Sequence, residues 1–269
     1  MKIRAFVINL ERATVRRAAI GQELAAAGIE PEFVPAVDLR EVGEDFLRQR
    51  FNDFGPWGVV PPHNMAICSS HLRVFERFLQ TDADLALVFE DDVYIAPELG
   101  LWLEDLSWWP ADADIVRFER WKSRTMKHVI AKHATRFAGR RISRIFTRHP
   151  GAAGYVISRA HAQRLVAVER ISLTTDGFLF NPYVSAPARA ARIYQVNPAL
   201  VTQGNDPADE KTRRKGKPKG ARRWRQKLLR SWAEISNAPR HLLRILSGKA
   251  ELVRLSYAKE TRHPKEGEA

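Results

Sequence analysis

Leu85-Ala86-Leu87-Val88-Phe89-Glu90-Asp91-Asp92-Val93 is a short apolar run that ends in three adjacent carboxylates. An apolar run of this length is typical of a strand buried on both faces, as in a parallel sheet covered by helices. Open α/β sheets bind ligands beyond the carboxyl ends of their strands. Glu90, Asp91 and Asp92, here named the carboxylate triplet, would attract a hard cation such as Mg²⁺ or Mn²⁺ there. The alternative is a solvated acidic turn.

Strands and helices are expected to alternate on both sides of this run, which predicts an α/β fold. One helix is expected at 13–27, ended by Gly28, and another at 65–80, with Asn64 as its N-cap. Basic residues at 136–147 indicate an edge hairpin. The other expected strands are 1–10, 33–37, 114–118, 154–157 and, as the last strand, 193–196.

The chain has 269 residues, enough for one large domain with an appendage. Its single cysteine, Cys68, excludes an intrachain disulfide framework. No apolar run approaches the roughly 18–20 residues of a membrane span. The apolar segment after Met1 is too short for a signal peptide. These features predict a cytoplasmic protein.

The formal net charge of +13 lies in one segment of the chain. Residues 211–249 contain 14 Lys or Arg and a single acidic residue, Glu234, whereas residues 1–210 contain 26 of each sign. Gly, Pro and Lys dominate the start of this segment, which indicates a linker. We therefore expect a neutral catalytic domain at 1–208, a linker at 209–220 and a basic, amphipathic helical tail at 221–269.

The tail carries aromatic and apolar residues at helical spacing: Trp224, Leu228, Trp232 and Ile235. Basic residues between them make a helix that fits the interface of an anionic membrane. Two alternatives remain: the apolar stripe packs on the catalytic domain, or the basic stripe binds nucleic acid. The sequence shows no helix-turn-helix, zinc-ligand set or RNP-like motif, so we expect no nucleic-acid partner.

Six short segments spread over residues 3–205 form an ordered series of motifs. They are Val7–Arg17, Val34–Asp38, Met65–His71, Leu87–Val93, Gly154–Ser158 and Tyr194–Gln203. In this order they resemble the NLxR…RR turn, AVD segment, GCxxSH helix, EDD strand end, YxIS strand and PxxxxQ segment of glycosyltransferase family 25. This is the lipopolysaccharide (lipooligosaccharide) sugar-transferase family. Each segment is short, and their common order carries the resemblance.

The resemblance implies a GT-A-like fold, a single α/β domain that binds a nucleotide-sugar. It implies inverting transfer of a hexose, galactose or glucose, from a UDP-sugar. The implied acceptor is a lipid-linked oligosaccharide of lipopolysaccharide or a related cell-surface glycan, which favours a peripheral position on the inner face of the inner membrane. The carboxylates alone also fit a metal-dependent nucleotidyl- or phosphotransferase, and activity without metal stays open.

Negative charge develops on the diphosphate that leaves a nucleotide-sugar, and a metal held by carboxylates neutralises it. We therefore expect Mn²⁺ or Mg²⁺, with Asp92 as a direct ligand and with Asp91 and Glu90 as ligands or support. Inversion by single displacement needs a base for the acceptor hydroxyl. Asp176 lies where the family carries an acidic residue and is the candidate base; the alternative is a capping residue at a turn.

Further donor-binding candidates surround the expected nucleotide crevice. Arg12 and Arg16 follow the first strand, and arginine binds phosphate through two parallel hydrogen bonds; the alternative is a solvated helix face. Asn9 ends that strand and either contacts the nucleotide or caps the next helix. His71 lies on an apolar helix face, so a packed core histidine is the alternative there. Glu90 and Asp91 complete the set.

Overall fold

A computed structural model describes residues 1–121, 126–204 and 220–257. Its helices are α1 (Thr14–Ala26), α2 (Leu39–Arg48), α3 (Pro62–Leu79), α4 (Leu101–Glu104), α5 (Arg159–Val166), α6 (Thr175–Phe180), α7 (Ala186–Ala190) and α8 (Gly220–Leu246). Its strands are β1 (Ile3–Asn9), β2 (Glu32–Pro35), β3 (Phe54–Gly55), β4 (Gly58–Val59), β5 (Leu85–Glu90), β6 (Val93–Ile95), β7 (Ile115–Arg117), β8 (Glu119–Arg120), β9 (His128–Phe137), β10 (Arg140–Ile145), β11 (Gly154–Ser158), β12 (Ile193–Asn197), β13 (Val201–Gln203) and β14 (Ala250–Val253).

Nine of the described strands form one sheet in the order β14-β9-β10-β12-β7-β11-β5-β1-β2. Strand β5 runs parallel to β1 and antiparallel to β11, and β12 runs parallel to β7. The predicted α/β class is therefore confirmed. The sheet is mixed rather than wholly parallel, because β11 runs against both of its neighbours.

Strand β5 is apolar along its length because it serves two hydrophobic cores. Ala86 and Val88 face the core covered by α3 and α5. Leu85, Leu87 and Phe89 point the other way, into a core that contains several tryptophans. Successive side chains of a strand alternate between faces, so a strand covered on both sides has no polar position until it leaves the sheet. The prediction of a strand buried on both faces is confirmed.

A smaller sheet, in the order β6-β13-β8, continues beyond the carboxyl end of β5. Its register places Gln203 opposite Val93. The backbone N–H of Gly204 donates to the carbonyl oxygen of Asp92 at 2.6 Å. A segment more than 100 residues later in the chain is thereby held against the turn that contains the carboxylate triplet.

Three local expectations need correction. A hairpin, β9–β10, does form in this region, but it begins at His128 rather than at 136, and it is not at the sheet edge because β14 pairs with β9. For the same reason the strand at Ile193–Asn197 is not the last one. Helix α3 begins at Pro62 rather than after Asn64, since Pro61 is extended and proline suits the first helical turn.

Helix α8 packs through one side on the body of the protein, the α/β domain built from residues 1–204. Gln226 Oε1 accepts from the backbone N–H of Val59 at 2.8 Å, and Arg230 Nε donates to the carbonyl of Trp57 at 2.9 Å. Arg148 also pairs with Glu234 at 2.7 Å. Of the predicted linker, residues 209–219 lie outside the described residues, as do residues 258–269 of the predicted tail.

The other side of α8 exposes apolar side chains, here named the apolar face of α8. Trp232 is 73% exposed and Leu228 69% exposed, which is far above the usual value for such residues. Within the described parts of the chain, no helix combines the length and hydropathy needed to cross a membrane. The members of the face are Trp224, Leu228, Trp232, Ile235, Leu242, Leu243 and Leu246.

Buried neutral histidines make the fold sensitive to acid. Burial lowers the pKa of His71 to about 3 and that of His128 and His161 to about 4, against 6.5 for an exposed histidine. Acidification below pH 6.5 therefore protonates the unfolded chain first, so the free energy of unfolding falls as the pH falls. At pH 5.5 each such histidine lowers the free energy of unfolding by about 1 kcal/mol relative to neutral pH.

We predict that His128→Gln reduces the loss of stability between pH 7.5 and pH 5.5 by about 1 kcal/mol, because a glutamine side chain does not take up a proton in this range. Urea denaturation at the two pH values measures this difference. The matched control is His133→Gln on the same strand, where the side chain is exposed and the loss should equal that of the wild type. An equal loss in all three proteins would contradict the role of His128.

Candidate active site

The carboxylate triplet lies at the carboxyl end of β5, where the fold predicts a ligand crevice. Glu90 is the last residue of the strand, and Asp91 and Asp92 form the turn into β6. Because β1 runs parallel to β5, with Ile8 opposite Glu90, both strands end at the same edge of the sheet. Asn9 is thereby placed beside the triplet.

Asp91 is held by two donors from the first β–α unit. Asn9 Nδ2 donates to Asp91 Oδ2 at 2.7 Å. The guanidinium of Arg16, in the first turn of α1, lies 3.4 Å from Asp91 Oδ1. Asn9 and Arg16, both predicted to bind the nucleotide-sugar, therefore lie at the triplet and orient the carboxylate of Asp91.

Glu90 is held by donors from α3 and β13. Gln203 Nε2 donates to Glu90 Oε2 at 2.6 Å, and His71 Nε2 lies 3.4 Å from Glu90 Oε1. The other ring nitrogen, His71 Nδ1, is 2.8 Å from the hydroxyl of Tyr155. Since a carboxylate only accepts, the network assigns the proton to Nε2, with Tyr155 donating to Nδ1.

His71 is neutral in this network, because burial lowers its pKa to about 3. His71 is a buried core residue, as one interpretation of the sequence proposed. It also lies beside the triplet, where the other interpretation expected a residue that binds the nucleotide-sugar. Burial also raises the pKa of Tyr155 well above its usual value, so its hydroxyl stays protonated. The row Tyr155–His71–Glu90 therefore orients a carboxylate without adding charge.

Arg12 and Asp176 lie apart from the triplet. Arg12 pairs with Asp38, the N-cap of α2. Asp176 lies in the first turn of α6, where it accepts from the hydroxyl of Thr174 at 2.7 Å. Within the described residues Asp176 makes no hydrogen bond or ion pair with the triplet, although it lies within electrostatic range of Arg117.

The sequence analysis missed a buried ion pair between Arg117 and Glu119. Their side chains lie 3.3 Å apart and are almost fully buried. Burial raises the pKa of Glu119, and the charges of Glu90 and Asp92 raise it as well, whereas the adjacent guanidinium of Arg117 lowers it and favours the ionised carboxylate. The pair therefore lies close behind the triplet. Residues i and i+2 of a strand lie on the same face, so two opposite charges at this spacing after an apolar strand were the sequence signal for such a pair.

The donor atoms around the triplet suit a hard cation. Within the described ranges, no three His, Cys, Asp or Glu side chains are arranged to hold a metal by themselves. Mg²⁺ is commonly held by one or two carboxylates together with substrate phosphates and water. Asn9 Oδ1 and Gln203 Oε1 are buried carbonyl-type oxygens that no described group hydrogen-bonds. The site therefore offers oxygen ligands only, which fits Mg²⁺ or Mn²⁺.

The fold and the site together are those of an α/β protein with an acidic ligand crevice at the carboxyl ends of parallel strands. Residues 2–179 match the model of the family described as "Glycosyltransferase family 25 (LPS biosynthesis protein)". Because this match spans more than half of the 269 residues, the chain belongs to glycosyltransferase family 25. The protein is thus a glycosyltransferase, as the ordered motifs predicted.

Relatives from two bacteria cover most of the chain. The "Lipooligosaccharide biosynthesis protein lic2B" of Haemophilus influenzae is 27% identical over 207 residues, covering 74% of this chain and 75% of that protein. The "Lacto-N-neotetraose biosynthesis glycosyltransferase LgtE" of Neisseria meningitidis serogroup B is 26% identical, covering 73% and 72%. A solved glycosyltransferase involved in glycosylation of the major capsid of PBCV-1 aligns with 80% of this chain and 99% of that chain, at 9% identity and a TM-score of 0.39.

We predict that Asn9→Asp lowers the free energy of unfolding by about 3 kcal/mol, because a buried carboxylate would replace the amide that donates to Asp91. Thermal denaturation at pH 7.5 measures the loss. The matched control is Asn52→Asp, since Arg170 donates to Asn52 Oδ1 at 2.7 Å and would pair with the new carboxylate. Equal stability of the two variants would contradict the contact between Asn9 and Asp91.

Proposed function

We propose that this protein transfers a hexose, galactose or glucose, from a UDP-sugar to a saccharide acceptor of lipopolysaccharide or a related cell-surface glycan, with inversion. The carboxylate triplet, oriented at the carboxyl end of β5 in a chain of glycosyltransferase family 25, is the observation that carries this proposal. The names of the bacterial relatives, which refer to lipooligosaccharide and lacto-N-neotetraose biosynthesis, support the acceptor class.

The proposed metal is Mn²⁺ or Mg²⁺, with Asp92 as its direct ligand. Both oxygens of Asp91 face Asn9 and Arg16, and both oxygens of Glu90 face His71 and Gln203. These two carboxylates are therefore assigned to support and to shaping the crevice. The bound metal would supply Lewis-acid neutralisation of the leaving diphosphate.

The proposed base is Asp176. An inverting transfer needs a carboxylate that accepts the proton of the attacking hydroxyl, opposite the leaving group. Asp176 is half-buried at the start of α6, and its charge acts on Arg117 of the buried ion pair. The charges of Glu90 and Asp92 act on Glu119, the other member of that pair. Asp176 is therefore a carboxylate within electrostatic range of Arg117 that makes no hydrogen bond or ion pair with the proposed metal ligands among the described residues.

We predict that Asp92→Asn lowers Mn²⁺-dependent hydrolysis of the preferred UDP-sugar at least about 100-fold, because the leaving diphosphate loses its metal. The assay screens nucleotide-sugars with and without Mn²⁺ and identifies the released sugar and nucleotide. Asp105→Asn, at an exposed cap, is the matched control. Full metal-dependent turnover by Asp92→Asn would contradict the ligand assignment, and release of a sugar phosphate would indicate nucleotidyl or phosphoryl transfer instead.

We further propose that the apolar face of α8 lies in the interface of an anionic membrane, on the cytoplasmic side of the inner membrane. The polar side of the helix is occupied by the catalytic body, which leaves the Trp and Leu side chains facing outward. Burying one such side chain contributes about 1.5–3 kcal/mol. Each nearby basic residue, such as Arg223 or Lys227, adds about 1 kcal/mol at an anionic surface.

We predict that Trp224→Ser/Trp232→Ser lowers binding to phosphatidylglycerol vesicles at least about 10-fold, because two interfacial anchors are lost. Vesicle co-sedimentation measures the binding. Phe46→Ser/Leu101→Ser is the matched control, since both residues are exposed apolar side chains outside α8. Point substitutions are preferable to truncation, which would also remove β14 from the sheet. Equal vesicle binding by both double variants would contradict the proposal.

A further inference from the structure

A cavity of about 130 Å³ lies between α8 and the end of β10. Its volume is well above the ~10–15 Å³ that holds one water molecule. The cavity, here named the cationic cavity, is closed by the catalytic body on one side and by α8 on the other. Its charged lining consists of Arg144, Arg189, Arg240 and Arg244.

Among the described residues, the cationic cavity has no carboxylate in its lining, although the charge of Glu234 acts on two lining residues, Tyr183 and His241. The only acidic residue of α8, Glu234, pairs with Arg148 at 2.7 Å. The four arginines are therefore gathered without a carboxylate among them, unlike most arginines of the catalytic body, which pair with acidic side chains.

Three of the guanidinium groups converge. Arg144 lies 5.6 Å and Arg244 4.4 Å from the ring centre of Phe146. Burial lowers the pKa of Arg244, and the positive charges of Arg144 and Arg240 lower it further. Arg189 and Arg240 are exposed, whereas Arg144 and Arg244 are half-buried, so water screens part of the repulsion among the four charges and a bound anion would offset the rest. The lining also contains His241, whose buried Nδ1 has no hydrogen-bond partner in the described parts of the chain.

The cationic cavity is separate from the carboxylate triplet. The cavity is lined by Ile193, at the start of β12. Glu90 is at the end of β5, which runs in the same direction, so the two residues lie at opposite ends of the strands. The two points are three strand spacings apart across the sheet and about four residues apart along the strands. Because these two directions are perpendicular, the direct distance is roughly 20 Å. A nucleotide diphosphate at the triplet therefore does not reach the cavity, and the anion that enters it is a different one.

The position of the cavity on α8 limits the kind of anion. The cavity lies on the side of α8 that faces the catalytic body, and the apolar face lies on the opposite side. A helix with its side chains is about 10–12 Å across. With the apolar face in the membrane interface, the cavity lies on the side of the helix that points away from the bilayer. A saccharide that extends from the membrane reaches this side.

We propose that the cationic cavity binds a phosphate group carried on the saccharide of the lipid-linked acceptor. This inference rests on the proposed transfer to a saccharide acceptor and on the membrane position of α8. It adds a second point of recognition, about 20 Å from the reacting carboxylates. Arginine suits this role because its planar guanidinium donates two hydrogen bonds to one phosphate.

The test titrates the full-length protein with glucose 6-phosphate and with glucose, and follows binding by calorimetry and by the thermal midpoint. The cavity variant is Arg240→Gln/Arg244→Gln, and the matched control is Arg40→Gln/Arg73→Gln, which removes the same charge from exposed positions on α2 and α3. We expect the wild type to bind glucose 6-phosphate but not glucose. We expect the cavity variant to lose at least 10-fold in affinity and the control less than 3-fold.

Two further measurements keep the outcome unambiguous. Without ligand, the thermal midpoint of the cavity variant should equal or exceed that of the wild type, because repulsion among the arginines is relieved. A lower midpoint with unchanged glucose 6-phosphate affinity would assign the arginines to structure and overturn the proposal. Selective loss of binding to phosphatidic acid vesicles, without any glucose 6-phosphate binding, would assign the cavity to a phospholipid. UDP-sugar hydrolysis by the wild type, measured in parallel, tests the proposed function separately.

Discussion

The constraint on which the site depends is the mutual repulsion of three carboxylates placed next to one another. Two unit charges 4 Å apart in a protein surface environment repel by about 1–4 kcal/mol. Burial of the apolar part of β5 offsets this repulsion. Four of its larger side chains are almost fully buried: Leu85, Leu87, Val88 and Phe89. At about 2 kcal/mol for each side chain, this burial contributes about 8 kcal/mol. Burial in two cores therefore fixes the strand and carries the acidic residues with it.

The donors that offset the repulsion come from separate parts of the chain. Asn9 ends β1, Arg16 belongs to α1, His71 to α3 and Gln203 to β13. Each element is positioned by the sheet or by its packing on the sheet, so the site forms only when the whole domain has folded. Neutral donors supply three of the four contacts, and this leaves most of the negative charge available to a cation. The arrangement is typical of a preorganised ligand site.

Much of this organisation could be predicted from the sequence. The apolar run before Glu90 identified the buried strand, and Gly28, with φ of 69°, ends helix α1 as its position indicated. The ion pair of Arg117 and Glu119 was missed because the i, i+2 spacing of two charged residues alone does not distinguish a buried pair from two surface charges. Its burial results from β7 lying between β11 and β12, which is a long-range pairing. The prediction that the hairpin lies at the sheet edge was wrong for the same reason, because the strand that covers it, β14, is more than 100 residues away in the chain.

The pairing of β14 with β9 also determines how α8 is attached to the enzyme. The helix is followed directly by a strand of the catalytic sheet, and its polar side packs on the hairpin β3–β4. A membrane-bound α8 is consequently a rigid support rather than a flexible tether. The height and tilt of the carboxylate triplet above the bilayer are then fixed by protein packing. Such an enzyme would act on sugars at one distance from the membrane, so that acceptor length itself becomes a determinant of specificity.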